Sequence, residues 1–223
     1  MAGVFFLLTI LGGIIAQGFI SNRLIDFGDA AATANNILGN KQMYQIGFTI
    51  YLIEMACQLI TSGLIYQLLK PVNRTLALLM LFFEMMGIVI KTFARVFYIA
   101  PLWVLDGPAA LGGMDSPQLQ STAMVLLRVD NYGAQTALAL FGFSTLIMGY
   151  LIFRSTYLPR WLGVIGMIAA FGWLTFLYPP LGRQLFMFVA LFALAGAAIK
   201  IFWLIVFGVD EEKFRAVEAR GME

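Results

Sequence analysis

The sequence has no histidine, one cysteine and few charged side chains. Charged residues make up 12% of the 223 positions, against about 25% in an average soluble domain. Without histidine the chain cannot build a histidine-ligated haem or zinc site, nor a catalytic pair of histidine with serine or cysteine. A single cysteine excludes a disulfide scaffold, and a net charge of +2 without a basic run argues against nucleic acid as a partner. We therefore predict no cofactor and no metal site.

Hydrophobic residues account for 61% of the chain, including 20 Phe and 12 Met. Such a composition excludes a soluble globular domain and a disordered chain. A helix needs about 20 mostly apolar residues to cross a bilayer. The sequence thus predicts an all-α, polytopic integral membrane protein with six transmembrane helices, at 3–20, 46–69, 75–100, 118–153, 158–178 and 184–207.

We expect residues 1–208 to form a single transmembrane domain, followed by a charged tail at 209–223. Residues 29–40 are too short and too polar to cross the membrane. An Asp at the start and a Gly near the end of this segment are typical of helix caps, so it is predicted to form a short helix at the outer surface. The connection 101–117, rich in Gly and Pro, is expected to rest at the interface or fold over the mouth of the bundle.

Lysine and arginine in the short connections predict the orientation, because cytoplasmic loops carry an excess of these residues. One side has seven (Lys70, Arg74, Arg154, Arg160, Lys213, Arg215 and Arg220), and the other has three (Arg23, Lys41 and Arg183). We therefore expect both termini to be cytoplasmic in a multi-pass protein of a cell inner membrane. Lys200, near the cytoplasmic end of the last span, is expected to extend to the interface as an anchor.

Six ionisable residues nevertheless lie inside the predicted spans, where each costs at least about 2.5–3.5 kcal/mol on insertion scales. They are balanced, three acids against three bases, and polar amides share their helix faces at spacings of three, four and seven residues. Together they form one predicted polar network in the second, third and fourth spans: Glu54, Gln58, Glu84, Lys91, Arg95, Arg128, Asp130, Asn131 and Gln135.

Two hypotheses account for this network. The charges form ion pairs that only assemble the bundle, as in a structural or accessory membrane protein. Alternatively, they line a pocket open to the outside, in which Arg95 and Arg128 hold an anionic group of a small polar or amphiphilic ligand that is bound or transported, and Glu84 is a proton-linked residue further in. An intramembrane enzyme is the least favoured alternative, because Cys57 has no histidine to activate it. Membrane lipids are expected partners; the ligand and the oligomeric state are not predicted.

Three segments resemble one known family: GDAAATANNIL at 28–38, YQLLKPVNRTLALL at 66–79 and GYLIFRSTYLPRWLGVI at 149–165. The chain is similar, over residues 1–205, to uncharacterised bacterial integral membrane proteins catalogued as domain of unknown function 4386. The resemblance implies a bacterial inner-membrane protein of about six helices. It implies no activity, cofactor or catalytic residue.

Overall fold

The computed structural model describes residues 1–106 and 113–220, and within these ranges it contains helices and no β-strand. Six of the described helices are long and apolar enough to cross a membrane, which confirms the predicted fold class. The helices in chain order are α1 (Ala2–Leu24), α2 (Ala30–Gly39), α3 (Lys41–Leu69), α4 (Arg74–Asp106), α5 (Ser116–Arg154), α6 (Arg160–Leu177), α7 (Pro179–Val206) and α8 (Glu211–Arg220).

Helix α4 does not end at residue 100 as predicted, but continues through Pro101 to Asp106. Proline removes a backbone donor and crowds the preceding turn, which ordinarily ends or kinks a helix. Here Pro101 is fully buried, and the neighbouring carbonyl of Tyr98 accepts a hydrogen bond from the Tyr44 hydroxyl. Packing thus overrides the local signal. The rest of the connection, at 107–112, lies outside the described residues.

The first span contains a π-helical segment, Ile14–Ser21, in the middle of α1. A π-helix bonds each N–H to the carbonyl five residues earlier, and such segments occur frequently at functional sites. The backbone N–H of Asn22 donates to the carbonyl of Gln17, which shows this five-residue step. Gln17 and Ser21 belong to this segment.

Helix α2 occupies the segment for which a short surface helix was predicted. The Asp29 carboxylate accepts the N–H of Ala32 at 2.8 Å as an N-cap. Thr33 ties the helix to the preceding turn, because its hydroxyl donates to the Asp26 carbonyl and accepts the Asp26 N–H, at 2.8 and 2.9 Å. These bonds position residues 25–27, immediately before the helix.

The chain divides into two compact units. We call Leu8–Ala56 with Val89–Ala134 the cavity unit, and Met1–Leu7 with Cys57–Ile88 and Gln135–Glu223 the close-packed unit. The buried core of the cavity unit contains three tyrosines, Tyr44, Tyr51 and Tyr98. The core of the close-packed unit is built mainly from aliphatic residues of α3, α4, α5 and α6.

Glycine contacts set the helix spacing in the close-packed unit. A Cβ atom on Gly163 of α6 would lie 2.5 Å from the Gly149 carbonyl oxygen of α5, and one on Gly149 would lie 2.8 Å from the Gly163 carbonyl. Only glycine therefore permits these two backbones to approach so closely. This contact belongs to the third segment that carries the family resemblance.

Candidate ligand-binding site

The centre of the cavity unit is an ion pair between Arg95 of α4 and Asp130 of α5. The Arg95 Nη1 donates to Asp130 Oδ2 at 3.2 Å, and the two residues are only 3% and 7% exposed. The guanidinium also lies over the ring of Tyr51, 3.9 Å from its centroid, in a cation–π contact. Within the described residues, Arg95 Nε and Asp130 Oδ1 are buried without a hydrogen-bond partner.

A cluster of hydroxyl groups surrounds this pair. The Tyr51 hydroxyl donates to Gln17 Oε1 at 2.6 Å, while the Ser21 hydroxyl lies 3.1 Å from the Tyr51 hydroxyl and donates to that of Tyr98 at 3.2 Å. Gly47 of α3 permits this approach, because a Cβ there would lie 2.9 Å from Ile20 and 3.1 Å from the Tyr98 hydroxyl. The π-helical segment of α1 is thereby held against α3 and α4.

These side chains line a cavity of about 150 Å³. Its apolar wall includes Ile25, Phe27, Leu127 and Ala134. An engineered apolar cavity of similar volume holds one benzene molecule, so the space suits a small ligand or a few waters. The polar residues that line it are Gln17, Ser21, Asn22, Tyr51, Arg95, Tyr98, Asp130 and Asn131.

A second ion pair joins Lys91 of α4 to Glu54 of α3, with 2.7 Å between Lys91 Nζ and Glu54 Oε1. Glu54 is 5% exposed and packs against two glycines of α1. A Cβ on Gly12 would lie 3.2 Å from the Glu54 Cβ, and one on Gly13 would lie 3.4 Å from Oε1. This pair is in the same unit, but it is not part of the cavity lining.

Arg128 does not join Arg95 as the pocket hypothesis expected. It is exposed, and its Nη2 donates to the Phe27 carbonyl at 3.0 Å. Leu127 and Asp130 form the buried face of α5, and neighbouring helix positions are separated by about 100° of rotation. Asp130 and Asn131 therefore line the cavity, and Arg128 does not. Arg128 instead holds the segment that contributes Phe27 to the cavity wall.

Three predicted residues belong to the close-packed unit and are not among the residues that line the cavity. Gln58 Nε2 donates to Glu84 Oε1 at 2.8 Å, and Gln135 is buried. Lys200 also differs from its expected role as an interfacial anchor. It is 8% exposed, its Nζ lies 5.8 Å from the centre of the Phe6 ring, and it interacts electrostatically with Glu84.

The uncharged residues of α1 and the tyrosines that line the cavity were not predicted, whereas Asn131 was. Gln17, Ser21 and Asn22 of α1 carry no charge, and the first predicted span contains no ionisable residue that would have marked their helix face. Two tyrosines were detectable, because each lies three residues from a predicted charge, Tyr51 before Glu54 and Tyr98 after Arg95. That spacing puts each pair on one helix face.

Six helices of membrane-spanning length and a polar site buried among apolar side chains define a polytopic integral membrane protein. In the described part of the chain, no group of three or more Cys, Asp or Glu residues is placed to hold a metal ion. The chain belongs to the family described as domain of unknown function (DUF4386), whose model matches residues 1–208. Comparison with curated proteins and with solved structures gave no match.

Proposed function

We propose that the protein binds a small polar or amphiphilic ligand in the cavity beside Arg95 and Asp130, as a receptor or as a carrier. The observation that supports this most directly is the juxtaposition of a buried, incompletely hydrogen-bonded ion pair with a cavity of about 150 Å³. Glu54 Oε2 and Gln135 Oε1 are also buried without a partner among the described residues, but neither residue lines the cavity.

The hydrogen-bonding capacity of Arg95 supports the proposal. A guanidinium carries five N–H donors, and among the described residues it makes one hydrogen bond, to Asp130. Buried polar groups are nearly always satisfied by protein, ordered water or ligand. The cavity that Arg95 borders is the place where such partners would lie.

The alternative function is structural, and the two buried ion pairs favour it. Arg95 with Asp130 and Lys91 with Glu54 join α4 to α5 and α3, and they neutralise each other. A buried pair, however, is weak evidence for a purely stabilising role, since apolar residues of similar volume often serve as well or better. The structural function also leaves the cavity without a purpose.

A thermal-shift screen of the purified protein against small polar solutes and lipids tests the proposal. A ligand present at 100 times its Kd stabilises the folded state by about 2.7 kcal/mol, which raises the melting temperature. Ala134→Leu places a larger side chain in the cavity wall and is expected to abolish the shift. Val129→Leu, on the exposed side of α5, is the matched control and is expected to retain it.

Two results would reject ligand binding at this site. One is a screen in which no compound raises the melting temperature of the unmodified protein. The other is a ligand-induced shift that Ala134→Leu leaves unchanged. Either result would favour the structural function.

We also propose that the protein resides in a bacterial inner membrane with both termini in the cytoplasm. The support is the distribution of lysine and arginine: seven lie on the side that would hold the termini, and three lie on the opposite side. A C-terminal fusion to a reporter that fluoresces only in the cytoplasm should be bright, and a fusion to a phosphatase active only in the periplasm should be inactive. The reverse pattern would invert the topology.

A further inference from the structure

We infer that the ligand presents a zwitterionic group, with its anionic end toward Arg95 and its cationic end toward Asp130. This inference rests on the proposed function and specifies its ligand class. It departs from the hypothesis that two arginines hold an anion, because the structure pairs one of them with an acid and directs the other to a backbone carbonyl.

The charge around the cavity supports a net-neutral ligand. Of the described residues that line it, one is a base, Arg95, and one is an acid, Asp130. The other buried pair of the unit, Glu54 with Lys91, is likewise balanced. An anion or a cation alone would leave one uncompensated charge in this buried site, which is costly at low dielectric. A zwitterion adds no net charge.

The hydrogen-bonding capacity of the pair supports both ends of such a ligand. Their mutual bond occupies Arg95 Nη1 and Asp130 Oδ2, which leaves further donors on the guanidinium and Oδ1 as a free acceptor. A carboxylate or phosphate would accept from the guanidinium, and an ammonium would donate to the carboxylate. A ligand of one charge can serve only one of the two side chains and is repelled by the other.

Uncharged groups around the pair suit both ends equally. Gln17, Asn22 and Asn131 provide amides, each of which can donate and accept, and Ser21 provides a hydroxyl. A cavity of about 150 Å³ suits a group of about the size of benzene, which a free solute would fill and into which a lipid headgroup would place its charged end. Two sources offer this chemistry: a free solute of the amino-acid type and the headgroup of a zwitterionic lipid.

Binding of three probes of similar size tests the ligand class. The protein is reconstituted in nanodiscs of phosphatidylglycerol, which lacks an ammonium group, and titrated with β-alanine, propionate and propylammonium. We expect β-alanine to bind about tenfold more tightly than either singly charged probe, equivalent to about 1.4 kcal/mol. If a lipid headgroup is the ligand, replacing phosphatidylglycerol by phosphatidylethanolamine should instead raise the melting temperature and prevent β-alanine from binding.

Two variants test the assigned ends. Asp130→Asn should shift the preference to propionate, and Arg95→Gln should shift it to propylammonium, since each leaves one charge in the cavity. Asp106→Asn, which alters an exposed ion pair with Lys41, is the control and should retain the preference for β-alanine. If a cavity variant does not fold, the order in which the unmodified protein binds β-alanine, propionate and propylammonium still decides whether the ligand is zwitterionic.

The possible failures are distinguishable. Tightest binding of propionate or propylammonium, or equal binding of all three probes, overturns the zwitterion while leaving the proposed function in place. So does stabilisation by some other compound of the screen when neither β-alanine nor phosphatidylethanolamine has an effect. If no compound and no lipid stabilises the protein, the proposed function falls and the inference falls with it.

Discussion

The cavity unit and the close-packed unit bury polar groups in different ways. In the cavity unit, charges meet charges across helices, hydroxyl groups bridge α1 to α3 and α4, and a space remains beside them. In the close-packed unit, glycines bring backbones together, and aliphatic side chains fill the core. The cavity thus coincides with the charged and hydroxyl side chains of the cavity unit. In the close-packed unit, Gly149 and Gly163 bring the backbones of α5 and α6 so close that no side chain fits between them.

The largest expected effect tests whether charge pairing holds the cavity unit. Asp130→Leu leaves the Arg95 charge buried and uncompensated, which should reduce the free energy of unfolding by about 3–5 kcal/mol. Adding Arg95→Met removes that charge and should recover much of the loss. The measurement is reversible unfolding in detergent or bicelles.

The exposed ion pair of the same unit provides the control. Lys41 and Asp106 have side chains that are 42% and 55% exposed, and Asp106→Ala should change the stability by no more than about 1 kcal/mol. A double variant as damaged as Asp130→Leu alone would show that apolar packing cannot replace the buried pair. The cavity unit would then depend on its buried charges, unlike the close-packed unit with its aliphatic core.

An intermediate effect tests the glycine contacts of the close-packed unit. Gly163→Ala adds a methyl group 2.5 Å from the Gly149 carbonyl oxygen, so α5 and α6 must separate. We expect a loss of about 1–3 kcal/mol in unfolding free energy, the usual cost of overpacking. Gly63→Ala is the control. It adds the same methyl group in the same unit, but its Cβ would meet no atom within 4 Å. Equal effects of both substitutions would contradict the assigned role of close backbone approach.

The smallest effect concerns the exposed end of the close-packed unit. Asp210 accepts the Lys213 N–H at 3.2 Å, and its carboxylate pairs with the Lys213 ammonium at 2.7 Å. The bonds from Lys213 lower the pKa of Asp210. Because the folded pKa lies below the unfolded one, the stabilisation of α8 is complete above the ordinary aspartate range. It is lost as the pH falls through the folded pKa.

Amide hydrogen exchange of α8, corrected for the intrinsic effect of pH, measures this change. Protection should decrease as the pH falls below the usual pKa of aspartate. Asp210→Ala should remove the pH dependence and lower the protection at neutral pH. Protection that is insensitive to pH in the unmodified protein would mean that the packing of Phe214 on Tyr157 holds α8 without the cap.

The architecture was predictable because the bilayer imposes a length and a composition on every crossing segment, and six segments met both. Glu54, Lys91, Arg95 and Asp130 could be singled out for the same reason, since a charge inside a span needs a compensating partner. Which charges pair could not be predicted. That depends on helix rotation: Arg128 and Asp130 were predicted in one network, but only Asp130 reaches Arg95, whereas Arg128 donates to the Phe27 carbonyl.

Two other differences arise from packing that no local pattern reports. Pro101 remains within α4 because it is buried against its neighbours, and Lys200 is buried beside Phe6. The wall that α1 contributes to the cavity escaped prediction for another reason. An apolar span predicts a regular α-helix, and charges are the residues that stand out in it, whereas Gln17 and Ser21 are neutral and lie in a π-helical segment.

That π-helical segment makes the cavity sensitive to the number of residues in α1 as well as to their identity. A regular α-helix turns by about 100° per residue, whereas the wider π-helix turns less at each step. Removing one residue from the Ile14–Ser21 segment would let α1 close into the regular form, with hydrogen bonds four residues apart instead of five, so the side chains within the segment would change position relative to one another. A deletion between Gln17 and Ser21 would thus alter the spacing at which both side chains reach the Tyr51 hydroxyl. Length variation at this point of the helix would thus change the site without altering any residue that lines it.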